Sequence, residues 1–328
     1  MSVAQALLKC TGKTSSAAPS FTVRTATNEV FASSFIYENG LCIMAGNSNT
    51  YTTGPGFNNI LLSTDLVNWT TIATPSTDYS NIRGGCFGNN LYVLCDSITS
   101  TPSRIITSPD GITWTARTTS GVTGVSMYSG VYGNSVFVFV GGNAATPGTQ
   151  NVLYSTNGTT WSVRTTPTGN WTDVAFGNGV FVAINNAANS TSAIMTSTTG
   201  TSWNSRTTPS ASSGWGKITF GNGKFVAMST AGEGATMTST DGITWTKHTV
   251  NNLSTTMSNR RFLAYTNGVF TVVGSGGTDA IMTSPDGIVW QAVSSPAVES
   301  NAVGQAGLKT VYNITNNAEP EKCVMTSP

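Results

Sequence analysis

KITFGNGKFVAMSTAGEGATMTSTDGITWTKH, residues Lys217–His248, reads as four short runs of β-branched and aromatic residues separated by turn signals. The runs are Lys217–Phe220, Lys224–Met228, Ala235–Ser239 and Thr244–His248. Gly-Asn-Gly (221–223) follows the first, a loop follows the second, and Asp241-Gly242 follows the third. Asn-Gly and Asp-Gly favour two-residue hairpin turns because both central residues can take positive φ. Two consecutive antiparallel hairpins, four strands in all, are therefore predicted.

Working outward, the same unit recurs along the chain. A box of the form Ser-x-Asp-Gly-x-x-Trp appears as STDLVNW (Ser63–Trp69), SPDGITW (Ser108–Trp114), STNGTTW (Ser155–Trp161), STTGTSW (Ser197–Trp203), STDGITW (Ser239–Trp245) and SPDGIVW (Ser284–Trp290). Its tryptophans are 45, 47, 42, 42 and 45 residues apart. Ahead of the boxes lies a second phrase, as in FGNNLYVLC from Phe87, YGNSVFVFV from Tyr132, FGNGVFVAI from Phe176 and YTNGVFTVV from Tyr265, with a looser copy, YENGLCIMA, from Tyr37. Four antiparallel strands per period of this length are the pattern of a β-propeller blade.

Both termini enter the count. After Trp290 a further period starts, with Val311–Ile314 as a second strand and CVMTSP (Cys323–Pro328) aligned with IMTSP at Ile281–Pro285, and the chain stops before a box tryptophan. FTVRT (Phe21–Thr25) aligns with WTART (Trp114–Thr118) and WSVRT (Trp161–Thr165). The expected fold class is all-β: a seven-bladed β-propeller of four-stranded antiparallel blades. An N-terminal strand, about 20–28, closes the ring by completing the C-terminal blade and so removes two free sheet edges. Residues 1–19 form an N-terminal arm outside the repeat, an anchor or docking segment, and 20–328 form the propeller.

Composition narrows the function classes. The 328 residues include 15 Lys plus Arg and 14 Asp plus Glu, a net charge of +1, which speaks against nucleic-acid binding and against long exposed helices. Apolar residues come in short runs such as Val136–Val140, so membrane insertion is not expected. The opening MSVAQALLKCTGKTSSAAPS has an apolar patch broken by Gln5 and ended by Lys9, unlike a signal peptide. The odd number of cysteines (Cys10, Cys42, Cys86, Cys95, Cys323), without a Cys-x-x-Cys pair, favours buried thiols over a disulfide framework or a metal site.

The boxes resemble the Asp-box (BNR) repeat of propellers in sialidases, photosystem-assembly factors and bacteriophage virion proteins. The usual box has one residue between Asp and Gly, whereas Asp110-Gly111 and Asp286-Gly287 are adjacent here. The resemblance implies a virion structural or host-attachment protein, located in the virion after assembly in the host cytoplasm. Its arm would contact other virion proteins and its variable loops a host surface polysaccharide. A polysaccharide-degrading glycosidase and an intracellular assembly scaffold are the alternatives.

The box residues themselves read as architecture. Asp65, Asp110, Asn157, Asp241 and Asp286 can bond the turn backbone, and Trp69, Trp114, Trp161, Trp203, Trp245 and Trp290 can fill space between sheets. Asn157 and Thr199 replace the acid in two boxes, which a turn tolerates and a catalytic acid does not. Arg24, Arg117, Arg164 and Arg206, with His248 at the same place, form an outer-strand pattern. No catalytic set, metal site or cofactor is expected. Carboxylates outside the boxes include Asp78, Asp96, Asp173, Glu233, Asp279 and Glu299, two of which on adjacent blades could form a glycosidase pair. Recognition is expected on the variable loops, with Tyr51, Phe57, Tyr79, Trp171, Trp215 and Arg260 as candidate binding residues. Sugar stacking on Trp171 and Trp215 competes with their packing between blades.

Overall fold

A computed structural model describes residues 22–25, 31–47, 60–65, 68–76, 79, 81–97, 104–119, 125–143, 148–186, 191–209, 214–229, 234–250, 258–275, 281–293, 299–306, 309–315 and 322–326. The arm (1–19), Tyr51, Phe57, Asp78, Glu233 and Asp279 lie outside them.

All the described sheets are four-stranded and antiparallel. In the fifth repeat the strands are Trp215–Gly221, Lys224–Ser229, Ala235–Ser239 and Thr246–Thr249, hydrogen-bonded in chain order. The first strands of the other five contiguous repeats are Phe31–Glu38, Ile82–Gly88, Ser126–Gly133, Trp171–Gly177 and Ser258–Thr266.

The expected seven blades need correcting: six blades, not seven, are contiguous repeats with a box tryptophan and a described side-chain core. The remaining strands come from both ends of the chain and make a composite sheet in the order Thr22–Thr25, Lys322–Thr326, Lys309–Thr315, Glu299–Ala306. The outer strand of this sheet comes from the N-terminal side, with Thr22 opposite Thr326 and Thr25 opposite Cys323. Of the expected 20–28, Thr22–Thr25 is strand and the rest lies outside the described residues. Glu299–Ala306 lies beside both Ser258–Thr266 and Phe31–Glu38.

The first hairpin of each blade turns as its residues require. Asn178 (φ 49°) and Gly179 (φ 77°) are both left-handed, the geometry of a type I′ turn, and Asn39-Gly40, Asn222-Gly223 and Asn267-Gly268 repeat it. The box departs from expectation. Only its glycine has positive φ, as at Gly111 (74°), and six residues, 109–114, separate strand Arg104–Ser108 from Thr115–Arg117. It is thus a side-chain-organised loop and not a two-residue hairpin turn.

The core lies between blades. Second strands such as Leu91–Asp96 are buried after their first residue, and Val136–Gly142 throughout, because each is covered on both faces by neighbouring sheets. Three-residue outer strands such as Thr115–Arg117 are mostly exposed, and such short edges offer little to another sheet.

Candidate functional site: the central channel mouth

The box loops come first, since they resemble chemistry. In the second blade Ser108 Oγ donates to Asp110 Oδ1 (2.8 Å), and the same oxygen accepts the N–H groups of Ile112 and Thr113 (2.8 Å each). Gly111 N–H donates to Ser108 Oγ, and Trp114 Nε1 donates to Gly111 O at 3.0 Å. Asn157 reproduces this with a neutral amide, accepting from Thr159 and Thr160 N–H at 2.9 Å each. The carboxylates gain the most from these bonds. The N–H groups of Thr113 and Ile112 hold Asp110 below the usual carboxylate range, and that of Thr244 does the same for Asp241. Asp286 is lowered as well, its burial outweighed by the N–H groups of Ile288 and Val289, the Ser284 hydroxyl and the charge of Lys224.

In the first blade Leu66 stands where the other boxes have glycine. Asp65 there accepts from Asn68 N–H and Nδ2 at 2.7 Å, and Trp69 Nε1 has no partner. All six boxes thus serve as loop scaffolds.

At the other end of the blades a feature appears that the periodicity did not reveal. In five successive first strands the pairing skips one residue at the same place, between Ala32 and Ser34, Ile82 and Gly84, Met127 and Ser129, Trp171 and Asp173, and Trp215 and Lys217. The skipped residues, Ser33, Arg83, Tyr128, Thr172 and Gly216, sit on β-bulges. A bulge bends its strand and re-aims the side chain it carries. Three of the five, Ser33, Arg83 and Tyr128, line a cavity walled by the first strands of all six blades, which holds about 630 Å³ of space including its open mouth. It occupies the half of the central channel remote from the Asn-Gly turns.

The charged groups among its described lining residues are Arg83, Asp173 and Lys217. The Arg83 guanidinium lies 5.6 Å from the ring centre of Tyr128 on the next blade, and its Nε donates to Asn81 Oδ1 (3.2 Å). Lys217 Nζ lies 5.6 Å from the ring centre of Phe262, again one blade on. Asp173, between them in blade order, accepts Val174 N–H on Oδ1 and Ile218 N–H on Oδ2, both at 3.0 Å. Both of its oxygens therefore join backbone, one of them across to the next blade.

The predicted binding residues fall elsewhere. Trp171 is 0% exposed and Trp215 1%, each within an interblade core, so neither ring has a face open to a sugar. Tyr79 is buried as well, beneath the guanidinium of Arg104. Arg260 is in strand Ser258–Thr266, and its side chain lies outside the described residues. Aromatic type and loop proximity make both rings look like sugar platforms, but each Trp points inward, and of the residues that follow them Thr172 is half-buried and Gly216 buried. Asp96 is buried at the end of Leu91–Asp96, accepting Asn81 N–H at 3.2 Å, away from the channel lining. Among the described residues no cluster of His, Cys, Asp and Glu could hold a metal ion.

Solved structures decide what this ring is. Virginiamycin B lyase from Staphylococcus aureus superposes with a TM-score of 0.72 at 13% identity, over 94% of this chain and 99% of that one. The fold is a β-propeller. A streptogramin B lyase gives a TM-score of 0.70 at 11% identity over 95% of this chain and 98% of that one. YCF48 from Cyanidioschyzon merolae gives 0.64 at 13% identity over 95% of this chain and 98% of that one. Likeness at such identities shows the propeller fold alone. No protein-family model and no curated protein matches the chain.

Proposed function

We propose that this propeller is a binding module and not an enzyme, a structural or attachment protein of a virion that takes a host surface polysaccharide at its channel mouth. The observation that carries the reading is Asp173. It is the one carboxylate among the described lining residues, and both its oxygens are engaged by backbone N–H groups, so it is placed as a strut between blades and not as a nucleophile or acid. A glycosidase needs two carboxyl groups facing one bond. The single histidine, His248, supports the same reading from the outer strand, where Nε2 pairs with Thr238 Oγ1 at 2.9 Å.

The fold itself serves either class. A lyase has been solved with quinupristin and YCF48 with a D1 peptide. The virion setting rests on the resemblance of the boxes and on the Ser, Thr, Asn and Gly-rich, weakly charged composition. Incubating the protein with a panel of bacterial surface polysaccharides, scoring binding and new reducing ends together, tests the reading: binding without release is expected. Release of reducing ends, or turnover of quinupristin, would replace it with an enzyme. Absence of the protein from purified particles of its source virus would remove the virion setting.

A further inference from the structure

We infer that the channel mouth is built for a carboxylate-bearing polysaccharide, a polyuronate, whose acid groups are held between Arg83 and Lys217. This rests on the binding-module reading and adds the ligand's charge and its place.

Two cations face the cavity, from the second and fifth blades, and neither has an ion pair among the described residues. Each is seated over an aromatic ring of the following blade, an arrangement that holds a cation in place without neutralising it. Arg83 uses Nε on Asn81, which leaves the outer guanidinium edge for a ligand. That edge suits a carboxylate, to which a guanidinium can present two parallel donors. The one opposing charge among the described lining residues, Asp173, is turned to backbone N–H groups, and those residues together carry one net positive charge.

The rest of the mouth supplies what sugar hydroxyls need. Ser33, Tyr128 and Ser129 are partly exposed hydroxyl side chains. Phe35, Val174 and Ile218 also belong to the wall but are buried, so they offer no pocket to the apolar side chains of a peptide. The cavity is open at its mouth, so a glycan lying across it needs to send only its acid groups inward.

The test is titration calorimetry of the intact chain with trigalacturonate and, in parallel, neutral dextran oligosaccharide. Trigalacturonate should bind and dextran should not, with binding weakened by salt. Arg83→Gln and Lys217→Gln should each raise Kd about tenfold, and the pair should abolish binding, consistent with hydrogen bonds to charged groups. Arg117→Gln removes an equal charge from an outer strand and should leave Kd unchanged; circular dichroism of each variant checks its fold. Trigalacturonate binding unchanged in the folded Arg83→Gln/Lys217→Gln variant would overturn the placement while leaving a binding module. Equal affinity for dextran, or no binding of trigalacturonate, would overturn the ligand's charge, and the polysaccharide panel would then decide separately whether the propeller binds glycan at all.

Discussion

The ring of Phe220 occupies the space where a side chain on Gly177 would stand: a Cβ built there overlaps the Phe220 ring edge. Gly177 ends the first strand of the fourth blade and Phe220 is near the end of the fifth blade's, so this contact sets how closely neighbouring blades approach. The same pairing joins Gly88 to Tyr132, Gly133 to Phe176 and Gly221 to Tyr265. It explains why an aromatic-Gly-Asn phrase recurs.

Gly177→Ala should therefore destabilise the protein by about 1–3 kcal/mol, the cost of overpacking a filled site. Gly179→Ala, two residues on, meets open space and carries only the strain of φ 77°, about 1 kcal/mol. Urea denaturation of the two variants checks the order; a larger loss at Gly179 would contradict it.

Asn178 Nδ2 donates to Gly223 O (3.1 Å) and Thr240 O (2.9 Å), linking the turns of adjacent blades, and Asn134 does the same to Gly179 O and Thr198 O. Asn178→Gly keeps the left-handed turn and deletes both bonds, so a loss of about 1 kcal/mol is expected in the urea midpoint. An unchanged midpoint would mean the bridge contributes nothing.

Trp171→Ala and Trp215→Ala should each cost about 3–5 kcal/mol, as removal of a large buried ring does. The measurement is thermal unfolding beside glycan binding. A variant that kept its stability and lost only binding would show the ring to be a sugar platform after all.

Acidification should weaken the fold through the boxes. Asp110 and Asp241 have depressed folded pKa values, so their contribution is present above the unfolded carboxylate pKa of about 4 and is lost as pH falls through the folded values. Asp110→Asn, which copies the Asn157 box, should stay folded at pH 7 and show a shallower fall in Tm between about pH 5 and 2 than the wild type.

Burial pushes the Cys86 thiol up to about 12 and those of Cys42 and Cys95 upward too. A thiol reagent at pH 8 should thus leave at least these three of the five cysteines unmodified in the native protein and reach all five in denaturant. Native labelling of three would place one of the buried three outside the core.

Much was legible in the order of residues, because local backbone demands are written locally. Asn178-Gly179 permits a type I′ turn wherever it occurs, runs such as Val136–Val140 suit a strand covered on both faces, and the box tryptophans mark a period through spacing alone. The role of the boxes was readable for the same reason, since Asn157 can replace an acid only where a neutral acceptor suffices. What depended on tertiary structure was direction. A bulge shifts which face of a strand a residue occupies, and its position is set by pairing with the second strand, not by the residue bulged. Trp171 therefore turns into a core while Arg83, one place further along its own strand, turns to the channel. The meeting of Arg83, Asp173 and Lys217 at one cavity likewise follows only from closing distant repeats into a ring, which brings together residues that are far apart along the chain.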